Sequence, residues 1–83
     1  MKTLIKVEVR LYATLRRYAP SLKLGEALEL NLKEGTILES LFKKIKIPRE
    51  EVKTVLINGR ARNHGYVLSI GDRVAIFPAV AGG

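Results

Sequence analysis

The sequence predicts an α+β domain in which one mixed sheet packs on one main helix, and three observations carry that expectation. Residues 4–12 alternate apolar and polar side chains, the period of a strand with one buried face. Residues 37–45 place apolar side chains at spacings of one, three and four, the stripe of an amphipathic helix. Two further β-rich runs, 54–57 and 73–77, follow that stripe and are separated by turn-forming residues, so the sheet closes after the helix has crossed it.

In residues 4–12 the inward set is Ile5, Val7, Val9 and Leu11, with Lys6, Glu8 and Arg10 on the other side. Residues 13–19 are short, basic and bounded by Pro20; Leu15 and Tyr18, three apart, make a single helical turn that caps one end of the core and leaves Arg16 and Arg17 in water. Residues 21–26, with Gly25, form a wide connection rather than a tight turn. Leu28, Leu30 and Leu32 alternate with Glu29 and Asn31 as a second strand.

After a turn at 33–35, Thr36 and Glu39 have the spacing of a capping box, in which Thr36 accepts from the Glu39 backbone and the Glu39 carboxylate reaches back. The helix that follows buries Ile37, Leu38, Leu41, Phe42 and Ile45, and Lys43, Lys44 and Lys46 complement the negative end of its dipole. Ile47-Pro48 ends it, because the residue before proline is pushed out of the α region. Residues 49–53 make a short turn with Val52 inward. The strand 54–57 then runs into Asn58-Gly59, a tight-turn signal that folds 60–62 back beside it. Asn63-His64-Gly65 is a further turn with His64 as an exposed loop residue, and residues 66–68 anchor that loop. The last strand, 73–77, faces Val74 and Ile76 one way, and Pro78 ends its pairing because it has no N–H to give a ladder. A strand–helix–strand connection of this kind crosses right-handed.

Composition sets the class. Eighty-three residues with 47% hydrophobic content make one modest core, since a chain of this size buries only about 60% of its unfolded surface. No run approaches the roughly 18 apolar residues of a membrane span, and the N-terminus lacks a signal-peptide apolar block, so a cytoplasmic address and no membrane partner are expected. The absence of cysteine excludes disulfides, thiolate metal sites and a persulfide held on this chain, and the single His64 builds no zinc site, so no metal is expected. The net charge of +7 is uneven: residues 1–24 carry six Lys/Arg against Glu8 alone, and the remainder nine against seven acids. Such asymmetry suits an acidic partner or nucleic acid, or simply a solvated basic surface.

The chain closes on Phe77-Pro78-Ala79-Val80-Ala81-Gly82-Gly83. Glycine has the most backbone freedom to lose on ordering, so a terminal pair is useful only where a slim, side-chain-free segment is itself required. The expected division is a domain over 1–78 and a flexible tail over 79–83.

Taken together, 55–60 (Val-Leu-Ile-Asn-Gly-Arg), 68–74 (Leu-Ser-Ile-Gly-Asp-Arg-Val) and the closing seven residues resemble the MoaD and ThiS sulfur-carrier proteins, ubiquitin-like β-grasp domains. Residues 9–16 likewise resemble the first strand and short helix of MoaD. The resemblance implies a mixed sheet of about four to five strands on one main helix, with a short additional helix. It also implies that the Gly83 carboxylate is adenylated by a ubiquitin-activating-type enzyme (MoeB- or ThiF-like), converted to a thiocarboxylate and used as a sulfur donor. No cofactor is then bound by the chain itself; ATP is consumed by the activating enzyme and sulfur comes from a separate donor. Val80, Ala81 and Gly82 are the tail that enters a partner's active site, and Phe77, Pro78 and Leu56 are candidates for the partner interface. Leu56 is included because its parity is opposite to that of Val55 and Ile57.

Phe77-Pro78 and Val80 favour MoaD over ThiS, although Ala79 stands where MoaD tails carry a second proline. That choice implies the small subunit of molybdopterin synthase, with a MoaE-like large subunit as partner. The chain would then be a carrier and co-substrate, with the catalytic groups on its partners. Three other readings share some of the same residues: a ThiS-type carrier for thiamin thiazole synthesis, a ubiquitin-like protein modifier joined through Gly83 to lysines, and an S4-like RNA-binding module over 55–74. Against the last, S4 domains begin with helices and this chain with strands, while Tyr12, Tyr18 and Tyr66 are scattered, so nucleic acid is not the expected partner.

Overall fold

Alternation in the first strand decides the architecture. In the computed structural model, which describes residues 3–23 and 25–79, β1 (Leu4–Leu11) buries Ile5, Val7, Val9 and Leu11 on one face, as its period requires. Around it the sheet assembles in the order β2-β1-β5-β3-β4, with β2 at Leu28–Lys33, β3 at Val52–Ile57, β4 at Arg60–Ala61 and β5 at Arg73–Pro78. β1 and β5 pair in parallel and the other neighbours pair antiparallel, so the sheet is mixed. Among the described residues there is one α-helix, α1 (Leu38–Lys44), which crosses one face and seals it with Leu38, Leu41 and Phe42. Two short 3-10 helices, Ala13–Tyr18 and Arg49–Glu51, complete the expected β-grasp plan; the first plugs Leu15 into the core. Asn58 and Gly59 both have positive φ (53° and 85°), as the tight hairpin turn between β3 and β4 demands.

Both ends of α1 depart from expectation. There is no capping box: Ile37, not Thr36, is the N-cap and makes no side-chain cap bond, and the Thr36 hydroxyl donates backward to the Lys33 carbonyl at 2.6 Å. The first N–H groups of the helix are satisfied from elsewhere in the chain. Leu38 N–H donates to the Tyr66 carbonyl and Glu39 N–H to the His64 carbonyl, each at 2.9 Å, beside an antiparallel bridge between Ile37 and Val67. A backbone strap over 64–68 therefore does what a local side chain does in most helices.

The C-terminus is reached before proline acts. Lys46 adopts φ +61°, its N–H donates to the Lys43 carbonyl at 3.2 Å, and Ile47 N–H reaches the Phe42 carbonyl at 3.0 Å, the bond pair of a Schellman turn. A non-glycine residue in that left-handed region is strained. Lys46→Gly is accordingly expected to raise stability by about 0.5–1 kcal/mol, read as a higher urea midpoint at unchanged m-value.

Two loop residues also stand elsewhere than their sequence context suggests. His64 is not an exposed loop residue: its ring meets the buried Phe42 ring edge-on, with centroids 5.1 Å apart, and its Nδ1 is buried with no hydrogen-bond partner among the described residues. Asp72 is 4% exposed, and its carboxylate accepts from Ser69 N–H (2.8 Å), Asn58 Nδ2 (2.9 Å) and the Tyr66 hydroxyl (3.2 Å). One side chain thus ties the β3–β4 turn, the 63–66 loop and the turn into β5.

At the far end of β5, Pro78 does not stop the pairing. It stands opposite Val52, where the β3–β5 register shifts between Val52 and Thr54. Pairing with β1 has already ended at Leu11 and Ile76, with one further bond from Tyr12 N–H to the Ile76 carbonyl at 3.2 Å, so the missing proline N–H falls at an irregular end of the ladder.

Candidate functional site

The sheet face turned away from α1 is where the candidate interface residues fall. Parity puts Glu8, Arg10 and Tyr12 of the first strand and its extension on this face, with Arg73, Ala75 and Phe77 from β5 and Thr54 and Leu56 from β3. The register sets them in rows: Arg10, Ala75, Leu56 and Ala61 in one, Glu8 and Arg73 in the next, and Phe77 beside Thr54 toward the tail. Tyr12 and Phe77 stack with ring centroids 4.6 Å apart and planes 9° from parallel, a contact worth about 0.5–1.5 kcal/mol beyond its burial. Tyr12 keeps 39% of its surface exposed, so the stack is presented to solvent rather than consumed by the core.

Phe77 and Leu56 are therefore neighbours on one half-buried apolar surface, while Pro78 lies at its end against Val52. The remaining site residues, Val80, Ala81, Gly82 and Gly83, lie outside the described residues.

The point where the chain leaves the sheet is well anchored. Ala79 N–H donates to the Glu51 carbonyl at 3.0 Å. The Glu51 carboxylate in turn accepts from the Tyr18 hydroxyl at 2.8 Å and from the Arg17 guanidinium. The hydrogen bond to Tyr18, with the charge of Glu51 as a further contribution, holds the Arg17 guanidinium above its ordinary value, which leaves it charged at any physiological pH. Both 3-10 helices thus grip the root of the tail.

Sequence reading missed Tyr12 and Ala75 as members of this face. Tyr12 continues the outward parity of Lys6, Glu8 and Arg10, a signal that was legible. That Phe77 lies under it depends on the parallel β1–β5 register, which joins residues more than sixty positions apart. His64 belongs to the opposite side of the molecule with Phe42 and takes no part here. Among the described residues, no three His, Cys, Asp or Glu side chains are grouped as a metal site, and no helix is long and apolar enough to cross a membrane. The face offers apolar area flanked by Arg10, Arg73 and Lys6 and by the Glu8 and Glu29 carboxylates, the materials of a binding surface.

The sheet order, the single crossing helix and the two short 3-10 helices define a ubiquitin-like β-grasp domain. The family model described as the ThiS family matches residues 9–83, and the chain belongs to that family. No curated protein matches the sequence.

Several solved structures are similar to it. A Pyrococcus furiosus protein provisionally named molybdopterin converting factor, subunit 1, is 27% identical with a TM-score of 0.73, over 92% of this chain and 99% of that one. Small archaeal modifier protein 1 from Methanosarcina acetivorans is 26% identical with a TM-score of 0.60, over 98% and 99%. Its Haloferax volcanii namesake is 20% identical with a TM-score of 0.72, over 92% and 99%, a likeness of fold. The ubiquitin-like fold also corrects the S4 reading: residues 55–74 form the β3–β4 hairpin, the strap over α1 and the entry to β5.

Proposed function

We propose that this chain is a sulfur carrier whose Gly83 carboxylate is activated by a ubiquitin-activating-type enzyme and converted to a thiocarboxylate, and that the sulfur is delivered to a pterin in molybdopterin synthesis. The observation that carries the reading is the match to the ThiS family over residues 9–83, which takes in the Gly-Gly. The likeness to the Pyrococcus furiosus protein supports the pterin as acceptor.

The chemistry follows from the poor electrophilicity of a carboxylate. One Gly83 oxygen attacks the α-phosphorus of ATP and releases pyrophosphate, leaving an acyl-adenylate. A hydrosulfide equivalent from a separate donor then attacks the carbonyl carbon; the C–S bond forms, the C–O bond to AMP breaks with its electron pair, and the thiol proton passes to solvent. This chain has no cysteine to hold that sulfur, so it resides on the terminus. Val80, Ala81 and Gly82 are small enough to follow Gly83 into a narrow active site, and Leu56, Tyr12 and Phe77 hold the domain against the enzyme while they do. In molybdopterin synthesis a MoaE-like large subunit would take the loaded tail.

The likeness to small archaeal modifier proteins favours a second reading, in which the same adenylate is passed to a lysine amine of a target protein. Incubation with the activating enzyme, ATP and a sulfur donor separates the two. A carrier gains the mass of sulfur replacing oxygen and then sulfurates a pterin precursor in the presence of the large subunit. A modifier yields conjugates in which a target lysine carries Gly-Gly after proteolysis.

A further inference from the structure

Ala75 occupies the middle of the exposed face, with Arg10 opposite it on β1 and Leu56 opposite it on β3. Its methyl group is lower than its neighbours, and the result is a dent of about 340 Å³ walled by Arg10, Tyr12, Leu56, Arg73 and the Asn58-Gly59 turn. Because Arg10 pairs with Ala75 and Arg73 with Glu8, the two arginines are diagonal neighbours on adjacent strands. Diagonal neighbours lie about 7–8 Å apart at the backbone, a span that two long side chains close onto a single ligand.

Little inside the domain competes for these guanidinium groups. Arg10 meets Glu8 at 3.8 Å, with side chains 39% and 38% exposed, an ion pair of the kind that contributes little. Arg73 has no ion pair among the described residues. Yet Arg73 is held in place at its backbone: its N–H donates to Asn58 Oδ1 at 3.0 Å, and its carbonyl accepts from Asn58 N–H at 2.9 Å. Asn58 is itself fixed to the buried Asp72. The Arg73 backbone is fixed, and of the two guanidinium groups only that of Arg10 has an ion pair among the described residues, a half-exposed one to Glu8.

We infer that this dent receives an Asp or Glu side chain of the activating enzyme, so that the face docks against an apolar surface carrying a carboxylate at its centre. The inference rests on the sheet-face docking described under the proposed function. A partner that covers Tyr12, Leu56 and Phe77 removes water from the dent, and a guanidinium–carboxylate contact gains strength as the surroundings dry. The net charge of +7 draws an acidic surface in from a distance and speeds encounter. A nucleic-acid strand fits less well, since a phosphate track requires a run of cations, whereas the dent is walled by two arginines among apolar and amide groups, enough for one carboxylate.

Affinity of the full chain for its activating enzyme, measured by calorimetry across a salt series, tests this. The wild-type chain is expected to bind more weakly as salt rises. Arg10→Gln and Arg73→Gln are each expected to lose about tenfold at low salt, to approach wild type at high salt and to show a flatter salt dependence. Leu56→Ser is expected to weaken binding at every salt concentration with the slope retained. Thermal melts of all three variants check that each still folds as the wild-type chain does. If the arginine variants bind like wild type while Leu56→Ser fails, the carboxylate contact is overturned and the docking face stands. If Leu56→Ser also binds like wild type, the docking face falls, and the inference with it. Binding of single-stranded RNA that outcompetes the enzyme and is lost in both arginine variants overturns the inference in favour of a phosphate ligand.

Discussion

A chain lacking Gly82 and Gly83 is expected to fold like the full-length chain, to bind the activating enzyme and to take up no sulfur. Among the described residues the core is assembled from side chains between Ile5 and Ile76, and the main-chain bond from Ala79 to Glu51 secures the end of the sheet, so the fold is expected to survive the truncation. Docking by the proposed face built on Tyr12, Leu56 and Phe77 is likewise expected to be independent of the tail. What the truncation removes is the carboxylate proposed to react and the slim approach proposed to lead to it. Urea denaturation should give a midpoint unchanged from wild type, the truncated chain should compete with the full chain for the enzyme, and ATP–pyrophosphate exchange should fall to background. Truncation that abolishes binding as well would mean that the tail, not the sheet face, supplies the affinity.

Asp72→Ala is expected to be the most damaging substitution outside the apolar core, at about 3 kcal/mol. Hydrogen bonds to a charged acceptor contribute about 1.5–3 kcal/mol, and removing a buried acceptor leaves its donors without partners. Here Ser69 N–H, Asn58 Nδ2 and the Tyr66 hydroxyl all lose theirs. The consequence spreads, because Asn58 fixes the backbone of Arg73 and Tyr66 lends its carbonyl to the first N–H of α1. A domain this small has a stability of about 5–10 kcal/mol, so a loss of that size is a large fraction of the total. Urea unfolding should show it as a lower midpoint, and hydrogen exchange should show early opening of the 63–72 segment. A loss below about 1 kcal/mol would mean that water replaces the carboxylate as acceptor.

The parts of this structure that local chemistry determines were legible in the residues. The alternation in β1 identified Ile5, Val7, Val9 and Leu11 as core, the stripe in α1 identified Leu38, Leu41 and Phe42, and Asn58-Gly59 marked a turn that needs positive φ. The parts determined by distant residues were not. The start of α1 is capped by carbonyls of His64 and Tyr66 some twenty-five residues downstream, so Thr36 and Glu39 carried the spacing of a motif the helix does not use. Lys46 took a conformation that glycine ordinarily supplies, so nothing in its chemistry announced the end of the helix. His64 reads as a turn residue between Asn63 and Gly65, and only the packing of the strap over α1 brings it to Phe42.

The candidate site divides the same way. Phe77 and Leu56 could be placed on the exposed face by parity, but the stack with Tyr12 and the dent between Arg10 and Arg73 come from the β1–β5 register. The basic charge that the sequence concentrates in its first third is completed by an arginine from the last strand.

The central claim is that Gly83 carries the chemistry, and locating the sulfur tests it most directly. Tandem mass spectrometry of the chain after reaction with the activating enzyme, ATP and a sulfur donor should show the replacement of oxygen by sulfur in the C-terminal fragment that contains Gly83, and in no fragment ending before it. An unmodified terminus after complete consumption of ATP, or sulfur found on any other residue, would contradict it.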